Sequence, residues 1–257
     1  EDGTQSVTIT ITENESAPTI TLATSASSIA ENAGSSLTLT ATSSIVTDED
    51  ITISISTSGT GTEGTDYSTI SDITISAGAT TGTATFTPTD DSVYEGNETA
   101  TITMASVTGA NAGSTTSQTI TITENDSTPV VTLATSASTI AENAGSSLTL
   151  TATLSNATTE DVTVALSTSG TGTEGTDYST ISDITISAGA TTGTASFTPT
   201  DDSVYEGNET GIVAIDSVSG GSANESGTPQ SVTITITENE SAPTVTLTTS
   251  ASSIAEN

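Results

Sequence analysis

Two long stretches of this chain occur twice, and this repetition defines the unit that has to fold. SASSIAENAGSSLTLTAT at residues 25–42 returns as SASTIAENAGSSLTLTAT at residues 136–153. The stretch at residues 55–99 returns nearly unchanged at residues 166–210. An internal repeat of this kind indicates tandem copies of one small domain.

The borders of the repeats predict two complete domains between two incomplete ones. We expect the complete repeats at residues 18–128 and 129–242. QSVTITITENESAPT at residues 5–19 recurs at residues 230–244, so residues 1–17 are predicted to end a preceding repeat and residues 243–257 to begin a following one. The sequence is therefore expected to be a segment of a longer tandem array.

Apolar residues alternate with Thr or Ser along seven short segments of each repeat. A strict period of two is typical of strands with one buried face, and no stretch has the period of a helix. We therefore predict an all-β chain of tandem seven-stranded antiparallel immunoglobulin-like sandwiches. Aromatic residues are only 2% of the chain, which predicts a thin core. In the first repeat the segments contain Ile20 and Leu22; Leu37, Leu39 and Ala41; Ile51, Ile53 and Ile55; Ile73 and Ile75; Ala84 and Phe86; Ala100, Ile102 and Met104; and Ile120 and Ile122.

The charge of the chain excludes several classes of partner. There are 32 Asp and Glu residues and no Lys, Arg or His, so the net charge is −32. Nucleic acid is not an expected partner because phosphates are bound by Lys and Arg. An anionic membrane surface is excluded on the same ground, and no apolar run approaches the ~20 residues of a membrane span.

The missing residue types also bear on chemistry. Without Cys the chain forms neither disulfides nor thiolate metal sites. Without His, Cys or Lys it lacks the usual general bases and strong nucleophiles. Paired carboxylates remain, as in glycosidases, but here they recur in every repeat with no insertion that would build a cleft. We therefore do not expect an enzyme.

Acidic residues are concentrated in the stretch DDSVYEGNE, at Asp90–Glu98 and again at Asp201–Glu209. Crowded carboxylates repel one another unless a positive charge lies between them, and this chain has no basic side chain. Loops rich in carboxylates are how proteins bind hard cations, above all calcium. The alternative is an acidic surface of a salt-adapted protein, but such charge is spread widely, whereas these acids lie at strand ends.

Four motifs in a fixed order resemble the Calx-beta family. They are ENAG, GTEGTDY, DDSVYEGNE and the acidic end of a TITI strand, and all four occur in both complete repeats. This family includes the calcium-binding domains of the sodium/calcium exchanger and tandem repeats in large bacterial extracellular adhesion proteins. The resemblance implies an antiparallel β-sandwich that binds several calcium ions (Ca²⁺) at one pole.

The resemblance also implies a set of calcium ligands, carried over motif by motif. In the first repeat these are Glu31, Asp66, Asp90, Asp91, Glu95, Glu124 and Asp126. In the second repeat they are Glu142, Asp177, Asp201, Asp202, Glu206, Glu238 and Glu240.

Two features depart from the family pattern. The closing strand of the family often ends in a run of Asp, whereas Asn125 and Asn239 stand in that run here. Ala100 and Gly211 replace a bulky apolar residue, so the core is expected to be thinner still.

The sequence-based hypothesis for function is a structural repeat. We expect a segment of an extracellular or cell-surface filament, stalk or adhesin that calcium stiffens where repeats meet. The expected partners are neighbouring repeats of the same chain and other copies in a fibre. One alternative is a module that binds polysaccharide, mineral or ice through Thr-x-Thr rows such as Thr8-Ile9-Thr10 and Thr121-Ile122-Thr123. A second alternative is a calcium sensor.

Overall fold

The chain is built from two compact units of β-strands. The structure is a computed structural model that describes residues 6–10, 12, 14–227, 230–253, 255 and 256. Unit 1 comprises Glu1–Asp91 and Gly96–Asn125, and unit 2 comprises Ser92–Glu95 and Asp126–Asn257. The described residues contain no helix, and so none that could cross a membrane. The remaining residues, which include parts of the two predicted incomplete repeats, lie outside the description.

Unit 1 is a sandwich of two sheets. Its strands are β1 (Thr19–Thr24), β2 (Ser28–Ala30), β3 (Leu37–Ser43), β4 (Ile51–Gly59), β5 (Ile73–Ile75), β6 (Thr81–Phe86), β8 (Glu98–Thr108), β9 (Asn111–Ala112) and β10 (Ser117–Thr123). One sheet has the order β6-β3-β1-β9 and the other has the order β2-β10-β8-β4-β5. The apolar residues of the alternating segments lie on the inner faces of these sheets, where they form one core.

Unit 2 repeats this architecture. Its strands are β7 (Val93–Tyr94), β11 (Val130–Thr135), β12 (Thr139–Ala141), β13 (Leu148–Leu154), β14 (Ala157–Thr158), β15 (Val162–Gly170), β16 (Ile184–Ile186), β17 (Thr192–Phe197), β18 (Glu209–Ser219), β19 (Asn224–Glu225) and β20 (Ser231–Thr237). The two large sheets have the orders β17-β13-β11-β19 and β12-β20-β18-β15-β16. A third sheet contains only β7 and β14, which pair in parallel.

The predicted all-β sandwich fold is confirmed. Each of the seven alternating segments is a strand, and the alternation places apolar side chains inside and Thr outside. The structure adds short strands that sequence periodicity cannot show, because two or three residues are too few to display a period. Two of these, β2 and β9, pair in parallel with β10 and β1.

Each core contains a pair of stacked aromatic rings. The rings of Tyr67 and Phe86 lie 4.8 Å apart in unit 1, and those of Tyr178 and Phe197 lie 4.6 Å apart in unit 2. All four side chains are buried. A Cβ atom at Gly211 would lie 2.7 Å from the Phe197 ring, so this ring occupies the space that a larger residue would take. The small residue therefore makes room for an aromatic neighbour.

The segments on either side of the complete repeats form no strand among their described residues. Val245 and Leu247 are 96% and 97% exposed, although the equivalent Ile20 and Leu22 are buried in β1. Each flanking segment carries the sequence of a strand that has neighbours on both sides in a complete repeat, and these neighbours are not paired with it here. A strand without hydrogen-bonded neighbours is not stable in water.

We predict that Phe86→Ala lowers the free energy of unfolding of unit 1 by about 3–5 kcal/mol, because the substitution leaves a cavity beside Tyr67. Urea denaturation followed by Tyr fluorescence measures this change. Thr85→Ala is the matched control, since Thr85 is the neighbouring exposed residue of β6. Equal losses for the two variants would show that the ring stack does not stabilise the core.

Candidate metal centre

A short parallel strand brings two acidic segments together at one pole of the sandwich. In unit 2, β12 and β20 pair in parallel with Ala141 opposite Thr237. The backbone amide of Glu142 donates to the carbonyl oxygen of Thr237 at 3.0 Å. Because parallel strands leave a sheet at the same edge, Glu142 and Glu238 both emerge at this pole. Unit 1 repeats the arrangement, with Glu31 hydrogen bonded to Thr123 at 3.0 Å.

The first cluster of unit 2 consists of Glu142, Glu238 and Glu240. Each contributes a carboxylate oxygen, and these oxygens all lie within 4.8 Å of one another. Glu142 is only 7% exposed, and Oε2 of Glu240 is buried with no hydrogen-bond partner. Oxygens bound to one calcium ion at about 2.3–2.6 Å lie within roughly 5 Å of one another. The spacing and the unsatisfied buried oxygen therefore fit a hard cation.

The second cluster of unit 2 consists of Asp177, Glu206 and Glu209. Their carboxylate oxygens also lie within 4.8 Å of one another. The backbone amide of Thr173 donates to Oδ2 of Asp177 at 2.6 Å, which holds Asp177 in its Gly-rich turn. Glu209 begins β18 opposite Ile236 of β20, so antiparallel pairing delivers it to the same pole as Glu238. The pole thus carries two adjacent groups of three carboxylates.

Unit 1 has the same local contacts around its predicted ligands. The amide of Asp91 donates to Oε1 of Glu31 at 3.2 Å, and the amide of Thr62 donates to Oδ2 of Asp66 at 2.6 Å. The Asn125 side-chain amide donates to Asp90 at 3.3 Å, and the amide of Gly96 donates to Glu124 at 2.8 Å. The two remaining predicted ligands of the first repeat, Glu95 and Asp126, belong to unit 2.

Glu238 fastens the acidic loop to the end of β20. Its Oε2 accepts the amides of Glu206 at 2.6 Å and Gly207 at 2.8 Å, and its Oε1 accepts those of Asn239 at 3.0 Å and Glu240 at 2.9 Å. These bonds, with that from Glu240 foremost, lower the pKa of Glu238 to about 2. Glu238 therefore stays ionised, and its hydrogen bonds to Glu206 and Gly207 hold the acidic loop against the end of β20.

The pKa of Glu240 is shifted in the opposite direction. Its side-chain hydrogen bond with Glu238, together with burial and the charge of Glu142, raises the pKa of Glu240 to about 7. In unit 1, burial and then the charge of Asp66 raise the pKa of Glu98 to about 7. In each case the surroundings disfavour the ionised carboxylate, and a cation bound beside it would favour ionisation.

The structure sorts the predicted ligands of the second repeat into two groups. Five of them form the two clusters: Glu142, Asp177, Glu206, Glu238 and Glu240. Asp201 and Asp202 belong to neither cluster. Burial raises the pKa of Glu142, and the nearby charges of Glu238, Asp202 and Asp201 raise it further. The amide of Asp202 donates to Oε1 of Glu142 at 3.3 Å, while its Oδ1 accepts the amide of Val204 at 2.6 Å.

Sequence reasoning missed Glu98 and Glu209 as candidate ligands. Both are the last acid of DDSVYEGNE, so the signal was present in the motif. Each is the first residue of a long strand, β8 or β18, and lies at the pole where that strand begins. Glu209 is one of the three carboxylates of the second cluster, and Glu98 lies beside Asp66.

Other acidic residues satisfy backbone amides instead of joining the clusters. Glu63 accepts hydrogen bonds from the Thr57 hydroxyl and the Ile70 amide, both at 2.7 Å. Asp72 accepts the amide of Ile55 at 2.9 Å, at the point where a bulge interrupts the pairing of β4 with β8. The equivalent residues of unit 2, Glu174 and Asp183, make the same bonds. These acids therefore have structural roles that explain their presence without a cation.

A pair of Gln substitutions separates cation binding from loop anchoring. In chelator at pH ~8, we expect Glu240→Gln to raise the melting temperature, because it removes a carboxylate repelled by Glu142 and Glu238. The rise in melting temperature on adding calcium should be smaller than in the parent chain. We expect Glu238→Gln to lower the melting temperature with and without calcium, since it disrupts the four amide contacts.

Thermal unfolding followed by circular dichroism provides the measurement for both variants. The first cluster would not be a cation site if Glu240→Gln kept the full calcium-dependent rise. Glu238 would not be the anchor of the loop if its variant melted like the parent chain in chelator.

The raised carboxyl pKa values predict how stability depends on pH in chelator. Glu98 titrates near 4.5 when unperturbed and at about 7 in the folded chain. Between these values the folded state binds more protons than the unfolded state, so the free energy of unfolding falls as pH rises. Glu240 acts in the same direction over the same interval. Urea denaturation at several pH values should show this slope, and Glu98→Gln should reduce it; an unchanged slope would contradict the assignment.

Comparison with known proteins identifies a family. The model of the Calx-beta domain matches residues 13–126 and 124–240. No curated protein matches the chain. The predicted resemblance to tandem Calx-beta repeats is thus confirmed by the family model.

Several solved structures align with the chain at low similarity. CBD12 from CALX1.2 is 14% identical with a TM-score of 0.37, and the alignment covers 85% of this chain and 100% of that one. The apo-form Calx CBD1 domain is 18% identical with a TM-score of 0.37, over 42% of this chain and 99% of that one. The adhesin InvE of Yersinia pseudotuberculosis is 16% identical with a TM-score of 0.36, over 84% of this chain and 58% of that one.

The similarity to these structures is too low to support conclusions about function, so the assignment depends on the two family matches. They include both sandwiches and every predicted ligand. The chain belongs to the Calx-beta family.

Proposed function

We propose that this chain is a structural segment of an extracellular or cell-surface filament, stalk or adhesin that calcium stiffens. The observation that carries the proposal is the concentration of carboxylates at one pole of a sandwich in a chain with no basic side chain. The same pole is built twice, in domains proposed at residues 18–128 and 129–242. A site that is repeated with each domain suits a mechanical role, since every copy contributes to one property of the array.

In the proposed site, calcium supplies the positive charge that the carboxylates lack. Glu142, Glu238 and Glu240 would hold one ion, and Asp177, Glu206 and Glu209 would hold a second. Asp201 and Asp202 would bring further charge to the first ion. In the first repeat the ligands are Glu31, Asp66, Asp90, Asp91, Glu95, Glu124 and Asp126, to which the structure adds Glu98 as a candidate.

The chain's own residues prepare this site. Glu238 fixes the acidic loop by accepting four amides, and Thr173 orients Asp177. The buried Oε2 of Glu240 has no hydrogen-bond partner, so its lone pairs are available to a cation. Protons held by Glu240 near neutral pH would be displaced as the ion binds.

The sequence between the two repeats suggests how binding would stiffen the array. Glu124, Asn125 and Asp126 come directly before Ser127, Thr128 and Pro129. Pro129 fixes its own φ and biases Thr128 toward an extended conformation. The link is short and its acids are proposed ligands, so a bound ion would restrain the chain where one repeat gives way to the next. Without the ion, like charges would repel and the link would bend more freely.

Small-angle X-ray scattering tests this proposal. We expect the distance distribution of the chain to broaden when calcium is replaced by chelator, and Asp126→Asn to reduce the difference between the two conditions. Asp216→Asn is the control, because Asp216 is an exposed acid in β18 that belongs to neither cluster. Identical distributions in calcium and chelator would refute stiffening by calcium.

A further inference from the structure

The turn that carries Asp177 lies outside the regular strands, between the end of β15 at Gly170 and the start of β16 at Ile184. Asp177 is one of the three carboxylates of the second cluster of unit 2. A functional side chain on such a segment is placed accurately only if other contacts hold the segment in position. The contacts of this turn therefore decide where the Asp177 carboxylate lies.

Glu174 joins the two ends of this turn. Its Oε2 accepts a hydrogen bond from the hydroxyl of Thr168 in β15 at 2.7 Å, and its Oε1 accepts one from the amide of Ile181 at 2.7 Å. Thr168 precedes Glu174 by six residues and Ile181 follows it by seven, so one carboxylate spans the whole segment that contains Asp177. Both oxygens of Glu174 thus have donors, and Glu174 belongs to neither cluster of unit 2.

Backbone hydrogen bonds inside the turn connect Glu174 to Asp177. The amide of Asp177 donates to the carbonyl oxygen of Thr173 at 2.9 Å, and the amide of Gly175 donates to that of Tyr178 at 2.7 Å. The amide of Thr173 also donates to Oδ2 of Asp177 at 2.6 Å. Glu174 lies between Thr173 and Gly175, so its side chain restrains the backbone from which these bonds are made.

The other side of Asp177 is held by the core. Tyr178 follows it directly, is only 1% exposed, and stacks on the ring of Phe197 at 4.6 Å. The amide of Thr200 donates to the carbonyl oxygen of Asp177 at 2.9 Å. Packing therefore anchors the backbone after Asp177, and the carboxylate of Glu174 anchors the backbone before it.

Unit 1 contains the same set of bonds. Glu63 accepts the Thr57 hydroxyl and the Ile70 amide, both at 2.7 Å, and the amide of Thr62 donates to Asp66 at 2.6 Å. The motif GTEGTDY therefore has two acids with different roles in both units. The Glu bonds to the two ends of the turn, and the Asp three residues later is held by the turn.

We propose that Glu174 is a positioning residue for a cation at the second cluster. It binds no ion itself, but it holds Asp177 where its carboxylate meets those of Glu206 and Glu209. This inference rests on the proposed function, because it concerns the affinity of the calcium site. Loss of a residue that orients metal ligands typically lowers metal affinity by roughly 10–100-fold. Without Glu174 the ion would have to order the turn, and the entropy lost in that step would weaken binding.

Two substitutions of Glu174 separate positioning from charge. Glu174→Gln removes the charge, but its side-chain amide still accepts from Ile181 and donates to the Thr168 hydroxyl, so we expect a calcium affinity close to that of the parent chain. Glu174→Ala removes both bonds, and we expect calcium affinity to fall by about 10-fold or more. A ligand, or an acid that acts only through its charge, would lose as much affinity in the Gln variant as in the Ala variant.

Asp183→Ala is the matched control. Asp183 accepts the amide of Leu166 at 3.0 Å, in the middle of β15 and outside the turn. Both Ala variants lose a hydrogen bond between an acid and a backbone amide, so both should melt at a lower temperature in chelator. Only Glu174→Ala should also weaken calcium binding, which a merely structural role would leave unchanged. Isothermal titration calorimetry of the full chain measures the affinities, and circular dichroism verifies that each variant is folded.

A double-variant cycle assigns the effect to Asp177. Asp177→Asn weakens the second cluster directly, and in that background Glu174→Ala should cause no further loss of calcium affinity. If Glu174→Ala does not fold, Thr168→Val provides the same comparison, with a smaller expected loss because it removes only one of the two bonds.

Three results would overturn the inference: parent affinity in Glu174→Ala, equal losses in Glu174→Gln and Glu174→Ala, or additive losses with Asp177→Asn. The proposed function can be judged separately. A parent chain that binds no calcium would refute both proposals, whereas a parent chain that binds calcium with an unaffected Glu174→Ala variant would refute the positioning role alone.

Discussion

Repulsion between carboxylates is the interaction on which the organisation of this chain depends. The sequence provides no basic side chain, so each acid must remain solvated, accept hydrogen bonds from amides or share a cation. Glu63, Asp72 and Glu238 accept hydrogen bonds from backbone amides, which stabilises their charge. Glu240 does not satisfy its buried oxygen in this way. The acids of the pole are thus the ones that this chain leaves without a compensating charge.

The parallel pairing of β2 with β10, and of β12 with β20, makes this pole possible. An all-antiparallel sandwich would place the residue after β12 and the residue after β20 at opposite ends of the sheet. Here β12 and β20 pair in parallel over three residues, so Glu142 and Glu238 follow their strands at the same edge of the sheet. The local topology therefore decides which carboxylates meet at the pole.

The sequence predicted the large strands, because the alternation of Ile or Leu with Thr over five or more residues has a measurable period. It could not predict β7, β14, β2 or β9, which are two or three residues long and owe their pairing to tertiary contacts. The sequence places the acidic segments at strand ends but does not show how the acids group, since Glu209 joins Asp177 and Glu206 only after β18 and β20 are paired. The sequence also could not show what lies beside Gly211: the departure from the family pattern predicts a thinner core, and the structure places the Phe197 ring where a larger side chain would be.

Glu238 also has a kinetic consequence. Its carboxylate already accepts hydrogen bonds from four backbone amides in two segments of the chain. The loop is therefore ordered before any ion binds. At a site that is preorganised in this way, binding causes no further loss of backbone conformational entropy. Binding of calcium as proposed would then require the ion to lose water and the last carboxylates to turn, with no segment to fold. Such a site would equilibrate quickly with its surroundings and would follow changes in ion concentration with little delay.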